Sequence, residues 1–426
     1  MVEKVPVLGT FYHLDKQYSI NTNTPMHKNI TYFTPIAPKQ ASTRQEEKWD
    51  AAVALFKNKA FAQVLPTLLD YLGPQFQSKK KGDTYEIAHG SVVVSLTQTD
   101  TELHISCPFV NIAQAKKVPL MRRLAELRMY PLNLTNLVLE NDLVYFSFSC
   151  PLNLCEPYKI YGVLREICFY ADSYDDEFIE KFGATHLQEP NITAFANDLK
   201  ETAYANYQSI LEQGLSRLAH YMEKRHINNA WYTLNISLKQ IEFHIEPQGY
   251  LRSLLEKAID GIFDRNLAIQ DRLLHGKASL EKLKAYDKDN FYKDLYQIET
   301  FVPHKYSGKK ENIRENWEDS YAEAQDMLAN SRFEDACHLM QSCFYGLFYY
   351  NLVGEDLAQP ITDALAQASG LDWNQAAPIL LKGMEALMED QILENDFGMD
   401  LSKIMGAQME QSMAAMQQIM ANFKTN

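Results

Sequence analysis

The chain has 426 residues, of which 46% are hydrophobic and 23% are charged, so it can bury the cores of two or three domains without disulfides or structural metals. Its 41 lysine and arginine residues are outnumbered by 55 aspartate and glutamate residues, and the resulting net charge of -14 opposes binding to a phosphate backbone. This composition excludes a disulfide-stapled miniprotein and predicts no nucleic-acid partner.

Residues 1–46 alternate single aromatic residues with Asn, Thr and Pro, and they show neither helical nor strand periodicity. We expect an extended N-terminal arm that lies over the folded body. The first thirty residues hold no apolar stretch of the kind a secretory signal needs, and no run in the chain approaches the roughly 18 apolar residues of a membrane-spanning helix. The sequence therefore predicts a cytoplasmic protein without a membrane span.

An α+β domain is predicted over residues 47–183. Helical spacing of apolar residues starts at Trp49 and is ended by Gly73-Pro74. Period-two alternation, with short polar turns between the runs, then predicts antiparallel strands over 84–88, 91–97, 102–108, 132–139 and 143–150, while helical spacing returns over 119–130 and 157–182. The expected fold class is α+β, with an antiparallel five-stranded sheet covered by helices.

Parts of this domain resemble a known family. They are the strand start Leu132–Leu134, the strand Val144–Ser149 and the helix segment Leu164–Asp172. Together with the element order, they resemble the type III secretion chaperone-like fold, which the bacterial sensory transduction regulator family shares. The resemblance implies an acidic, homodimeric protein that holds an extended segment of another polypeptide.

A mainly α-helical region is predicted beyond this domain, over residues 191–300 and 316–426. Residues 191–226 and 250–274 are typical of long amphipathic helices. Residues 231–245 alternate in two runs that are out of phase, which fits either one broken helix or a hairpin. The polar stretch 301–315 carries Pro and Gly and indicates a mobile connector.

Two distant helical segments share one spacing of apolar and small residues. The first is Ala52, Leu55, Phe56, Asn58, Phe61 and Val64, and the second is Ala324, Met327, Leu328, Asn330, Phe333 and Ala336. This spacing resembles the helical hairpin of tetratricopeptide-like repeats. An ordinary amphipathic hairpin explains it equally, because two copies do not make an array.

The sequence predicts no catalytic residues, no metal ligands and no cofactor. Its six cysteines lack the Cys-x-x-Cys spacing of zinc and redox sites and are interpreted as buried apolar residues. Gly276-Lys277 lacks the first glycine of a phosphate loop, because Asp271 stands there. The densest acidic cluster is interpreted as solvated helix-end charge; it comprises Asp172, Asp175, Asp176, Glu177 and Glu180.

The C-terminal segment carries the predicted partner-binding site. Methionines recur there at steps of four, four, three and four, which places them in one stripe on a helix: Met405, Met409, Met413, Met416 and Met420. Methionine is flexible and polarizable, so such a stripe can repack around different apolar partners. The stripe fits docking on the chain's own core, on a second copy or on another protein, whereas glutamines on the polar face disfavour a membrane surface.

These observations predict a non-catalytic chaperone or adaptor of a bacterial cytosol that binds a protein partner through apolar faces. Two alternatives stay open. One is an enzyme whose active site is assembled in the helical region, with His220 or His244 beside acidic residues. The other is a structural subunit of a larger bacterial assembly.

Overall fold

Alternating apolar residues between positions 84 and 151 build an antiparallel sheet. The structure is a computed structural model that describes residues 28–37, 44–188 and 192–389. The strands are β1 (Lys80–Lys81), β2 (Thr84–His89), β3 (Val92–Gln98), β4 (Glu102–Asn111), β5 (Asn136–Glu140), β6 (Leu143–Pro151) and β7 (Thr185–His186). Their order is β1-β2-β3-β4-β6-β5, and β7 pairs with β4.

The predicted α+β class is confirmed, but the sheet has seven strands where five were expected. The two additional strands, β1 and β7, have two residues each, which is too short to produce a periodic signal. The strand expected over 132–139 begins only at Asn136.

Four helices accompany this sheet: α1 (Glu46–Lys57), α2 (Val64–Leu72), α3 (Lys117–Met129) and α4 (Pro157–Phe182). Phe178 of α4 packs edge-on against Phe109 of β4, with ring centroids 5.1 Å apart. Gly183 takes the left-handed conformation that ends α4. The resulting core also includes Phe301 and Val302.

Within residues 192–389, nine further helices follow: α5 (Asn197–Lys224), α6 (Ile227–Ile245), α7 (Gly249–Phe263), α8 (Ile269–Lys284), α9 (Lys288–Lys293), α10 (Lys310–Ala329), α11 (Phe333–Tyr350), α12 (Glu355–Ala368) and α13 (Trp373–Met388). Two short ladders join them, β8 (Ile192–Ala194) with β9 (Tyr296–Ile298), and β10 (Tyr306–Gly308) with β11 (Asn351–Val353). In the described part of the chain, no helix is both long enough and apolar enough to cross a membrane.

Residues 231–245, for which the sequence fits either a broken helix or a hairpin, belong to helix α6. It is a single helix between two apolar cores, with Leu234 and Leu238 in the core of α5–α8 and Ile236 and Phe243 in the core of α10–α13. A helix buried on both sides loses the one-sided pattern that marks an amphipathic helix. This explains why its apolar residues seemed to run out of phase.

Two helical expectations need correction. The helix predicted over 250–274 is divided into α7 and α8, because the Asp264 side chain accepts a hydrogen bond from the backbone N–H of Asn266 at 2.9 Å and forms a local turn. The helix predicted from 191 begins at Asn197, after β8. Both differences come from short polar turns within otherwise apolar patterns.

The stretch expected to be a mobile connector is packed into the fold. Phe301 and Val302 are buried, and β10 pairs in parallel with β11. The Lys305 ammonium contacts the Glu242 carboxylate at 2.7 Å. Two apolar side chains and one ion pair hold a segment whose composition resembles that of a loop.

The two segments of equal spacing form turns with the same backbone geometry. Lys59 and Ser331 both have positive φ, 63° and 58°. The N–H of Ala60 bonds the carbonyl of Leu55 at 2.9 Å, and the N–H of Arg332 bonds that of Met327 at 2.8 Å. The resemblance to tetratricopeptide-like repeats stays a prediction.

Candidate functional site

Residues 28–37 form neither helix nor strand and lie across the helical region; we call them the bound segment. Ile30 is buried in the core of α10–α13, and Phe33 and Ile36 pack against the core of α5–α8. The rings of Tyr32 and Phe243 are 6.0 Å apart. The bound segment therefore covers the junction of two helical cores.

Side chains of the helices donate hydrogen bonds to the carbonyl groups of the bound segment. Arg217 Nη2 donates to the Lys28 carbonyl at 2.7 Å, and Gln240 Nε2 donates to the Thr31 carbonyl at 2.6 Å. His244 Nδ1 lies 2.6 Å from the Thr34 carbonyl. Because a carbonyl oxygen only accepts, this contact requires the proton of His244 on Nδ1.

Backbone N–H groups of the bound segment are also paired with the helical region. Asn29 donates to the carbonyl of Leu371 at 2.8 Å, Tyr32 to Ser369 Oγ at 3.0 Å, and Ile36 to the carbonyl of His244 at 2.8 Å. These contacts use groups that every residue except proline carries. The surface can therefore hold a peptide backbone with little dependence on side chains.

Asn29 is held by its side chain as well as by its backbone. Its Nδ2 donates to the carbonyl of Ala368 at 2.8 Å, and its Oδ1 accepts from Gln341 Nε2 at 2.6 Å. Asn29 and Gln341 are each 2% exposed. Both ends of one carboxamide are thus hydrogen-bonded in a buried environment.

The acidic cluster of α4 is a second polar site, and its interpretation as solvated charge is wrong for its buried members, although Glu180 is exposed. Asp172 is 9% exposed and Asp175 is fully buried. Asp172 accepts from the backbone N–H of Ser91 at 2.8 Å and from Arg252 Nη1 at 3.0 Å. These partners lie some 80 residues away in sequence, so the local acidic pattern could not reveal them.

Burial and neighbouring carboxylates perturb the pKa values in this cluster. Burial, with Asp176 and Asp172 nearby, raises the pKa of Asp175 well above its ordinary value, and burial raises that of Asp176 to about 7. Burial lowers the pKa of His89 to about 4 and that of His304 well below its ordinary value. Both histidines are consequently neutral at physiological pH.

His89, Asp172 and His304 bring their potential ligand atoms within 4.8 Å of one another. A hydrogen bond argues against a metal there. The N–H of Phe301 donates to His89 Nδ1 at 3.0 Å, so Nε2 carries the proton of the neutral ring. A ligating histidine shows the opposite arrangement, with its free nitrogen donating to an oxygen. We interpret the cluster as a structural joint among β2, α4 and the stretch before β10, to which α7 is tied by the ion pair of Arg252 with Asp172.

The structure describes some of the residues that the sequence singles out and leaves others out. Met405, Met409, Met413, Met416 and Met420 lie outside the residues that the structure describes. His220 lies on α5 beside the ring of Tyr221, and His244 holds the bound segment. All six cysteines are buried, as expected.

Sequence reasoning missed the residues that hold the bound segment. The detectable signal was Gln341, which stands in a mainly apolar part of α11; Gln240 gave no such signal, because Lys239 and Glu242 flank it. A buried amide needs hydrogen-bond partners, so its position on an apolar face indicates a polar neighbour. Comparison with known proteins gives no further guide: no family model, curated protein or solved structure matches the chain.

Proposed function

We propose that the chain is a non-catalytic chaperone or adaptor that holds an extended segment of another polypeptide, in the bacterial cytosol that the sequence predicts. The observation that carries this proposal is the bound segment, which is held through its own backbone by Arg217, Gln240 and His244. Backbone recognition combined with apolar contacts is the usual means of binding extended peptides. The partner takes the place of residues 28–37.

The apolar contacts provide the affinity in this proposal. Ile30 is 8% exposed, and Phe33 and Ile36 lie partly buried against the core of α5–α8. Burying an aliphatic or aromatic side chain stabilises a complex by about 1.5–3 kcal/mol. A partner segment with similarly spaced apolar residues gains the same contacts.

The experiment first frees the surface without disturbing folding. A protease site replaces residues 38–43, the protein folds with its segment in place, and cleavage then lets residues 1–37 dissociate on dilution. Binding of labelled, reduced and carboxymethylated α-lactalbumin, an unfolded polypeptide, is measured by fluorescence anisotropy. Native α-lactalbumin and the uncut protein are the controls.

We expect the cut protein to bind the unfolded polypeptide, the uncut protein to bind it more weakly, and neither to bind native α-lactalbumin. A cut protein that has released residues 1–37 and binds neither the unfolded polypeptide nor a synthetic peptide of residues 28–37 would refute the proposal.

A further inference from the structure

The pocket around Asn29 is built from groups that have no partner within their own element. Helix α12 ends at Ala368, and the last carbonyls of a helix lack intrahelical N–H donors. The Ala368 carbonyl accepts from Asn29 Nδ2, and the carbonyl of Leu371, three residues further on, accepts from the Asn29 backbone N–H. The end of α12 therefore presents two acceptors to one residue of the bound segment.

Helix α11 supplies the complementary donor. Gln341 is 2% exposed and lies among residues of the core of α10–α13, and its Nε2 reaches Asn29 Oδ1. An acceptor at Ala368 and a donor at Gln341 match the two ends of a carboxamide. A carboxylate offers no donor to Ala368, and an aliphatic side chain satisfies neither group.

Ile30 follows this pocket directly and is buried in the same core. The helical region therefore binds two consecutive side chains, Asn29 through hydrogen bonds and Ile30 through apolar contacts. Apart from the Thr31 hydroxyl, which donates to Gln213 Oε1 at 3.0 Å, the other polar contacts described above go to the backbone of the bound segment and do not distinguish one sequence from another.

We infer that this surface selects partner segments in which asparagine is followed by an aliphatic residue. The inference rests on the proposed function and specifies its ligand class. A mismatched side chain leaves the Gln341 amide without its partner and leaves the Ala368 carbonyl with only the Leu371 N–H, at 3.3 Å, which weakens binding by about 10- to 100-fold.

The test uses the cut protein after release of residues 1–37 and a labelled peptide of residues 28–37. Unlabelled peptides with Asn29→Asp, Asn29→Leu or Lys28→Gln compete in fluorescence anisotropy. We expect the first two to compete at least about 10-fold more weakly than the parent peptide and the third within about twofold, because Lys28 is exposed and contributes only its carbonyl.

A second arm changes the protein. Gln341→Met removes the donor, so the preference for the parent peptide over the Asn29→Leu peptide should fall. A change of preference is a readout that general destabilisation does not produce. If Gln341→Met does not fold, the peptide series still decides.

The outcomes separate the two proposals. Equal competition by all three peptides overturns the asparagine selectivity and leaves polypeptide binding intact. Absence of binding by every peptide and by unfolded α-lactalbumin removes the proposed function and this inference with it.

Discussion

Replacing Lys239 by methionine should stabilise the protein at neutral pH. Lys239 of α6 is fully buried, and its Nζ has no hydrogen-bond partner. It lies 4.8 Å from the ring centroid of Phe263, 5.4 Å from that of Tyr349 and 4.6 Å from that of Tyr350. Burial lowers the pKa of the amine from 10.5 to about 7.

The direction follows from proton binding. Between pH 7 and 10.5 the unfolded chain holds a proton on Lys239 that the folded protein lacks, so native stability rises with pH in this window. The lowered pKa of Lys239 reduces the free energy of unfolding by about 4 kcal/mol at pH 7 and by about 1 kcal/mol at pH 9.5. Cation–π attraction offsets about 1 kcal/mol of the first figure. We expect Lys239→Met to raise the free energy of unfolding by about 3 kcal/mol at pH 7.

Urea unfolding at the two pH values measures this difference. Lys305 is the matched control, because its ammonium contacts Glu242 at 2.7 Å. Lys305→Met leaves that carboxylate without its partner and should lower stability by about 3 kcal/mol. The reasoning fails if Lys239→Met destabilises the protein at pH 7, or if its effect is the same at pH 9.5.

Three further predictions concern the acidic joint and the bound segment. Gly90 has a φ of 56°, and a Cβ there would lie 1.7 Å from Asp172 Oδ1, so Gly90→Ala should lower stability by at least about 3 kcal/mol in urea unfolding. Gly183→Ala, with a φ of 73° and open space, should cost only about 1 kcal/mol. Burial raises the pKa of Asp176 from 3.8 to about 7, so protonation of this carboxyl stabilises the folded protein at low pH and the contribution is lost as the pH rises through 7. Asp176→Asn should therefore stabilise the protein by up to about 4 kcal/mol at pH 8 and have no effect below pH 4. In the uncut chain, Asn29→Asp should strengthen binding of an added peptide of residues 28–37, measured by anisotropy, whereas Gln240→Ala should not.

Strands that are covered on one face could be predicted closely from the sequence. For example, Val92, Val94 and Leu96 are buried on β3 while the residues between them are not, and this alternation is visible in the chain. Helix α6 could not be predicted in the same way, because both of its sides face a core. The spacing of apolar residues shows a clear period only when one side of a helix or strand is buried. When both sides are buried, as in α6, apolar residues occur on both sides and the period is lost.

The candidate site was largely beyond sequence reasoning, for a different reason. Its contacts join residues that are far apart: Gln341 meets Asn29, and Gln240 meets Thr31. Each side chain by itself is only a polar residue in a helix or an asparagine in a loop. The pairing depends on the tertiary arrangement of α6, α11 and the end of α12, which local patterns do not encode.

Tethering determines how strongly a partner must bind. A segment joined by a short linker has an effective concentration of about 1 mM at its own binding surface. If the free segment binds this surface with a dissociation constant of about 10 μM, the tethered segment competes with a partner and lowers the partner's apparent affinity about 100-fold. Gln240→Ala weakens the same backbone contact for the bound segment and for any partner, so the two losses cancel in competition. Asn29→Asp in the chain weakens the bound segment alone and therefore favours the partner. Equal responses of the two variants would contradict displacement of residues 28–37 as the route by which a partner binds.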